Sequence, residues 1–137
     1  MELALTDAPD PSARDVIAAG LGVLNTERAG PGEWRQLAVL IRDEAGAVTG
    51  GLWGVTSYGW LFTELLFVPA ALRGRGLGAE ILGRAEAEAR SRGCRDAWLD
   101  TFEFQSRGFY ERLGYSLFAQ LDDYPPGFAR YFLRKAL

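Results

Sequence analysis

The sequence predicts a mixed α+β fold built on a central, mostly antiparallel sheet with helices on its faces. Two observations carry this. Between Leu37 and Val68 three strand-like runs follow one another through short turns, Asp43-Glu44-Ala45-Gly46 and Gly59, with no room for a helix between them. From Gly76 to Arg92 the pattern changes, with Leu77, Ile81, Ala85 and Ala89 on one stripe and Glu80, Arg84 and Glu88 on a charged face. A strand over Ala97 to Phe102 completes a strand-helix-strand crossover, whose two strands are expected to run parallel.

The elements follow in order. Leu3 to Thr6 reads as a short strand. Asp10-Pro11-Ser12-Ala13 is a helix start, with proline at the first helical position, and that helix runs to about Glu27 before Ala29-Gly30-Pro31-Gly32 breaks it. Leu37 to Ile41, Val48 to Thr56 and Leu61 to Val68 form the meander. Phe109 and Leu113 mark a shorter helix ended by Gly114. Strands over Ser116 to Leu121 and Phe128 to Leu133 flank the loop from Asp122 to Gly127. At 137 residues, with no repeat, linker or low-complexity tract, a single domain over 1–137 is expected.

Composition excludes several chemistries. The chain has no histidine, so Ser-His-Asp triads, histidine bases and His-based zinc sites are ruled out, and no metal is expected. One cysteine, Cys94, forbids an internal disulfide and reads as a small buried side chain. A formal charge of −3 argues against nucleic acid as a partner. No stretch approaches the roughly 20 apolar residues of a membrane span, and the N-terminus has no basic region followed by an apolar run, so a cytoplasmic protein without a membrane partner is expected.

The sharpest chemical feature is the turn between the third strand and the long helix, where Gly74, Gly76 and Gly78 alternate with Arg73, Arg75 and Leu77. Residues without a Cβ let the chain lie close against a ligand, and the helix that begins there aims unpaired N–H groups and its positive dipole end at an anion. Arg73 and Arg75 would add charge-assisted bonds to phosphate oxygens. No Gly-Lys-Ser/Thr is present, so the bound group is a diphosphate that is held and not cleaved.

Together, the order of elements and Arg73-Gly74-Arg75-Gly76-Leu77-Gly78 resemble the GNAT superfamily of acyl-CoA-dependent N-acyltransferases. Its Arg/Gln-x-x-Gly-x-Gly/Ala turn holds the coenzyme A pyrophosphate, and Arg73, Gly76 and Gly78 match the fixed positions. Phe109-Tyr110-Glu111-Arg112-Leu113-Gly114-Tyr115 resembles a second family signature at the expected distance downstream. The resemblance covers roughly Arg35 to Leu137, and Met1 to Gly32 only loosely.

What the resemblance implies is direct transfer of an acetyl group from acetyl-CoA to a primary amine of a small molecule or peptide, in a ternary complex. Acetyl-CoA would lie in a V opened between the parallel strands ending near Val68 and Thr101. Backbone groups of Leu66, Phe67 and Val68 would hold the pantetheine arm, and Arg73, Gly74, Arg75, Gly76, Leu77, Gly78 and Ala79 the pyrophosphate. Tyr110 would protonate the leaving thiolate, its phenol being protonated at neutral pH; the plainer reading is a half-buried aromatic beside Phe109. Glu64, a carboxylate within an apolar strand, would orient or deprotonate the amine, and would share a side with Val68 if the strand stayed regular. Its plainer reading is a strand-edge glutamate reaching solvent. Where the family commonly has asparagine, Asp100-Thr101-Phe102-Glu103-Phe104-Gln105-Ser106 departs from the pattern. Gln105 would substitute as a cofactor contact, and Ser106 reads as a helix cap.

Trp53, Tyr58, Trp60 and Tyr124, with Asp122 and Asp123 to attract a cation, are candidates for an acceptor pocket, although strand aromatics more often belong to a core. The N-terminal region is short for the family, which leaves an open acceptor site for a second subunit to complete, as in a homodimer. Two other functions fit parts of the chain. A non-catalytic acyl-CoA-binding module needs neither Tyr110 nor Glu64. A dinucleotide-binding oxidoreductase would use Gly74-Arg75-Gly76-Leu77-Gly78-Ala79 as Gly-x-Gly-x-x-Ala with Asp100 on a ribose, but it needs repeated strand-helix alternation that this order of elements lacks.

Overall fold

A computed structural model describes all 137 residues, and the chain divides into two compact units, Met1–Gly32 and Glu33–Leu137. The first unit is one helix, α1 (Pro11–Ala29). It starts where expected: the Asp10 carboxylate accepts from the Ser12 N–H at 2.9 Å, an N-cap that also draws the Asp10 carboxyl below its ordinary range. Gly30 ends the helix at φ 80°, donating its N–H to the Thr26 carbonyl. Leu3 to Thr6 is not a strand. The segment pairs with no other strand, and its exposed backbone is left to water.

The second unit runs β1 (Arg35–Arg42), β2 (Val48–Ser57), β3 (Trp60–Phe67), a 3₁₀ turn at Ala70–Leu72, α2 (Leu77–Ser91), β4 (Asp96–Phe102), α3 (Arg107–Arg112), β5 (Ser116–Leu121) and β6 (Arg130–Ala136). The sheet order is β1-β2-β3-β4-β6-β5. β1, β2 and β3 form the expected antiparallel meander, and β3 and β4 are the one parallel pair. A single crossover falls short of the repeated alternation of a doubly wound dinucleotide domain.

The largest fully buried side chains are Leu52, Leu61, Leu82, Leu99 and Leu133, one each from β2, β3, α2, β4 and β6. Each contributes roughly 2 kcal/mol by leaving water. Together they clamp the middle of the sheet under α2, which buries Ile81, Leu82, Ala85 and Ala89 as its stripe predicts. Cys94 is buried in the same cluster, and burial pushes its thiol pKa up, as suits a packing residue.

One polar group enters this core. Glu86 of α2 is 5% exposed; it accepts from the Tyr115 hydroxyl at 2.8 Å and from Lys135 Nζ at 2.9 Å. Buried charge is tolerable when paired and hydrogen-bonded, and here the pairing ties α2 to the start of β5 and to β6.

Candidate active site

β3 and β4 pair only from Trp60 with Asp96 to Thr63 with Leu99. Beyond that point the ladder stops while both strands continue. The cause lies in β3: Gly54 of β2 pairs with Thr63 and Trp53 with Leu65, so Glu64 is an extra residue, a β-bulge. Before the bulge Leu61 and Thr63 are buried; after it Leu66 and Val68 take over the core side. The regular-strand expectation that Glu64 shares a side with Val68 therefore fails. Glu64 is exposed while Val68 packs on the core.

The separated strands open a cleft of about 940 Å³. One wall is β3 from Thr63 to Phe67, continued by Val68, Arg73, Gly74 and the start of α2 from Gly76 to Ala79. The other is Leu99 to Thr101 of β4, then Gln105, Phe109, Tyr110 and Arg112. Glu64 and Tyr110 both line this space. Of the residues predicted to bind cofactor, Leu66, Phe67, Val68, Arg73, Gly74, Gly76, Leu77, Gly78, Ala79 and Gln105 line it as well, and Arg75 does not.

Local backbone chemistry explains the first wall. Gly74 and Gly76 have φ of 78° and 75°, left-handed geometry that a Cβ makes costly. α2 begins on Gly76 without a side-chain cap. Its first internal bond runs from the Glu80 N–H to the Gly76 carbonyl at 3.1 Å, so the N–H groups of Leu77, Gly78 and Ala79 have no partner within the helix. These donors face the cleft wall with the positive end of the helix dipole. A Cβ on Gly78 would come within 3.2 Å of the Phe109 ring, so glycine lets α2 approach α3. Arg73 braces the turn: its Nε donates to the Val68 carbonyl at 2.8 Å and its guanidinium lies 5.8 Å from the Phe67 ring centre.

The second wall is made of side chains. Tyr110 is buried between Phe109 and Tyr115, with ring centres 5.0 and 6.1 Å away. Burial first, and the Asp100 charge second, hold its phenol above the ordinary tyrosine value, so it carries its proton across neutral pH. Gln105 turns its side-chain carbonyl inward, accepting from the Phe102 N–H at 2.8 Å and the Thr101 hydroxyl at 3.0 Å. It clamps the end of β4. Ser106 occupies the N-cap position of α3 but makes no side-chain capping bond, contrary to expectation, because its backbone, at φ −132° and ψ 47°, lies outside the extended geometry from which a cap reaches the helix N–H groups.

Sequence reasoning missed two arginines. Arg130 of β6 grips Asp100 Oδ1 through Nε at 3.0 Å and Nη2 at 2.6 Å, and lies over the rings of Phe102, Tyr124 and Phe132. Thirty positions separate the partners, so no local pattern announces the pair. Arg112 was visible within its motif but unassigned. The acceptor candidates do not assemble: Trp53, Tyr58, Trp60 and Tyr124 all lie off the cleft wall. Trp53, Tyr58 and Tyr124 are exposed. Trp60 carries Arg134 over its ring, and Tyr124 carries Arg130. Asp122 and Asp123 border a separate shallow hollow with Glu103 and Tyr131. No cluster of three His, Cys, Asp or Glu side chains is arranged to hold a metal, and no helix is long and apolar enough to cross a membrane.

Residues 17–115 match the model of the Acetyltransferase (GNAT) family. The chain is 39% identical over 135 residues to Acetyltransferase Atu2258 of Agrobacterium fabrum, spanning 98% of each. It is 46% identical over 95 residues to Blasticidin-S acetyltransferase of Streptomyces morookaense, spanning 69% of this chain and 70% of that one. A crystal structure assigned as an acetyltransferase from Agrobacterium tumefaciens superimposes over 100% of both chains with a TM-score of 0.94 at 39% identity. The chain belongs to the GNAT acetyltransferase family.

Proposed function

We propose that this GNAT-family chain moves an acetyl group from acetyl-CoA to a primary amine by direct transfer within a ternary complex. The observation that carries the reading is the meeting of three features in one cleft: the open N-terminus of α2, the bulged end of β3, and the buried phenol of Tyr110. Bound acetyl-CoA would supply an activated thioester. The chain supplies the rest.

The N–H groups of Leu77, Gly78 and Ala79, with Gly74, Gly76 and the Arg73 guanidinium, hold the diphosphate. Arg75, exposed and off the cleft wall, contributes little beyond long-range attraction. Because the ladder between β3 and β4 ends at Thr63, the backbone groups of Leu66, Phe67 and Val68 that neither β2 nor Arg73 engages are left to pair with the amide-bearing pantetheine arm as a missing strand would. The same N–H groups suit the oxyanion that develops on the carbonyl during attack. Gln105 contributes by stiffening the β4 end, since its carbonyl is already committed.

Glu64 is pushed out of the ladder by the bulge, and its carboxylate orients the ammonium of the acceptor and accepts its proton. Tyr110 donates to the departing sulfur. A phenol held above its ordinary pKa keeps this proton across the neutral range. A silent acyl-CoA sensor would bind the carrier without needing a buried phenol in the cleft wall.

The name of the Streptomyces morookaense relative points to a small cationic antibiotic as one acceptor, and the exposed carboxylate of Glu64 suits a cation. The test is a panel of such antibiotics, polyamines and peptide N-termini with acetyl-CoA, following thiol release and acetylated product. Release with at least one amine, lost in Tyr110→Phe, is the expected result. Binding of acetyl-CoA without release for any amine would favour the sensor reading.

A further inference from the structure

Only two cations line the cleft, Arg73 and Arg112. Arg73 is engaged with the Val68 carbonyl at the phosphate turn. Arg112, the last residue of α3, makes no ion pair. Its obvious neighbours are spoken for: Glu111 pairs with Arg107 at 2.9 Å, and Asp100 with Arg130 at 2.6 Å. Its position is built in. A Cβ on Gly108 would lie 3.4 Å from Arg112 Nη1, so the guanidinium folds back over the bare turn of α3 left by glycine. Phe109, whose ring touches the start of α2 at Gly78, is one helical turn away. The result is an uncompensated guanidinium on the α3 wall, across from the backbone donors of α2.

We infer that Arg112 recognises the phosphomonoester on the ribose of coenzyme A, and so makes the cleft selective for the 3′-phosphorylated carrier. The inference rests on the acetyl-CoA reading above and assigns a residue to the one phosphate which that reading leaves without a partner. The backbone donors at Leu77, Gly78 and Ala79 are fixed and few, and suit the diphosphate. A dianionic monoester calls for a charged, forked donor outside that cradle, and a guanidinium supplies two parallel N–H bonds to phosphate oxygens.

Calorimetric titration of the full chain with coenzyme A and with 3′-dephospho-coenzyme A tests this. The parent should favour coenzyme A by about tenfold, the size of one charge-assisted contact. In Arg112→Gln that preference should shrink toward one, with dephospho-coenzyme A bound as by the parent. Arg112→Lys, which keeps the charge and loses the fork, should fall between, and carries the test if Arg112→Gln melts early. Equal weakening toward both carriers in Arg112→Gln would assign Arg112 to the diphosphate and overturn the inference. Unchanged affinity for both would reduce Arg112 to a solvated charge and overturn it too. If the parent binds neither carrier, the cofactor reading fails first, and this inference with it.

Discussion

At its N-terminus α2 begins on a left-handed glycine, with no side-chain cap and three N–H groups lacking a partner within the helix. At its C-terminus little is left open. Arg92 donates to Glu88 at 3.0 Å, to the Gln36 carbonyl at 3.0 Å and to the Thr56 hydroxyl at 3.1 Å, and the Cys94 N–H returns to the Ala89 carbonyl at 2.9 Å. Between the ends, Glu86 anchors the helix to Tyr115 and Lys135. An uncapped helix start typically forgoes about 1 kcal/mol. The contrast sets an anchored end that carries stability against an open end that forgoes it, a division common at functional sites.

The comparison can be broken first at the anchor. Lys135→Met leaves the Glu86 carboxylate buried with Tyr115 alone, and removing one partner of a buried pair costs about 3–5 kcal/mol. Denaturant unfolding should register that loss. A change under about 1 kcal/mol would mean that water already reaches Glu86. The same anchor has a pH signature. Burial and the Glu86 charge push the Tyr115 phenol far up, and burial raises Tyr110 as well. Both phenols are neutral in either state below pH 10, where this contribution to stability is complete. As pH rises past 10 the unfolded phenols ionise first, so the melting temperature should fall steeply there, after a smaller decline that begins at about pH 8.5 as the unfolded Cys94 thiol ionises ahead of the buried one.

Tyr110 links the anchor to the cleft, because its ring packs on Tyr115 while its phenol lines the cavity. Tyr110→Phe keeps the packing and removes the proton. Turnover should drop by about 100-fold, the usual worth of a positioned general acid, with affinity for coenzyme A within about twofold. Steady-state kinetics alongside calorimetry separates the two, and a variant with parental turnover would return Tyr110 to the core.

How much of this was legible in the sequence follows the same divide. The open end of α2 is written in adjacent residues: alternating glycines between a strand and an amphipathic stripe mean a tight left-handed turn into a helix, whatever the partner. The six strands of the sheet were legible for the same local reason. The anchor was not, since Glu86 and Lys135 lie 49 positions apart and a glutamate among alanines on a helix reads as a solvated charge. The bulge at Glu64 was equally hidden. It exists only in the register between β2 and β3: the lone carboxylate of β3 sets Glu64 apart in composition, but composition does not say where the ladder skips a residue. Leu3 to Thr6 shows the opposite failure, a strand-like composition with no strand to join.

The open end is probed by Gly78→Val. The new side chain must displace the Phe109 ring, from which even a bare Cβ would stand only 3.2 Å, and α2 would be pushed from α3 where the cleft walls meet. Affinity for coenzyme A should fall by about tenfold, while stability changes by about 1–2 kcal/mol, as for overpacking at a flexible contact. Stability loss without affinity loss would show that the approach of the two helices matters for packing alone.

The smallest effect tests the finest distinction on this end, between two arginines two positions apart that the sequence treats alike. Arg73 lines the cleft, donates to the Val68 carbonyl and so holds the turn that presents Gly74 and Gly76. Arg75 is exposed and off the cleft wall. Arg73→Ala removes both a local brace and a charge beside the proposed diphosphate site, and should weaken coenzyme A binding by about fivefold. Arg75→Ala removes only a solvated charge at a distance, worth less than about twofold at physiological salt. Repeating both titrations at higher ionic strength sharpens the assignment. The residual effect of Arg75→Ala should vanish as screening grows, whereas most of the Arg73→Ala loss should persist, because a hydrogen bond within the turn is not screened away. If the two variants respond equally to salt, the cradle is held by net charge and not by the brace, and the glycine turn needs no arginine at a fixed position.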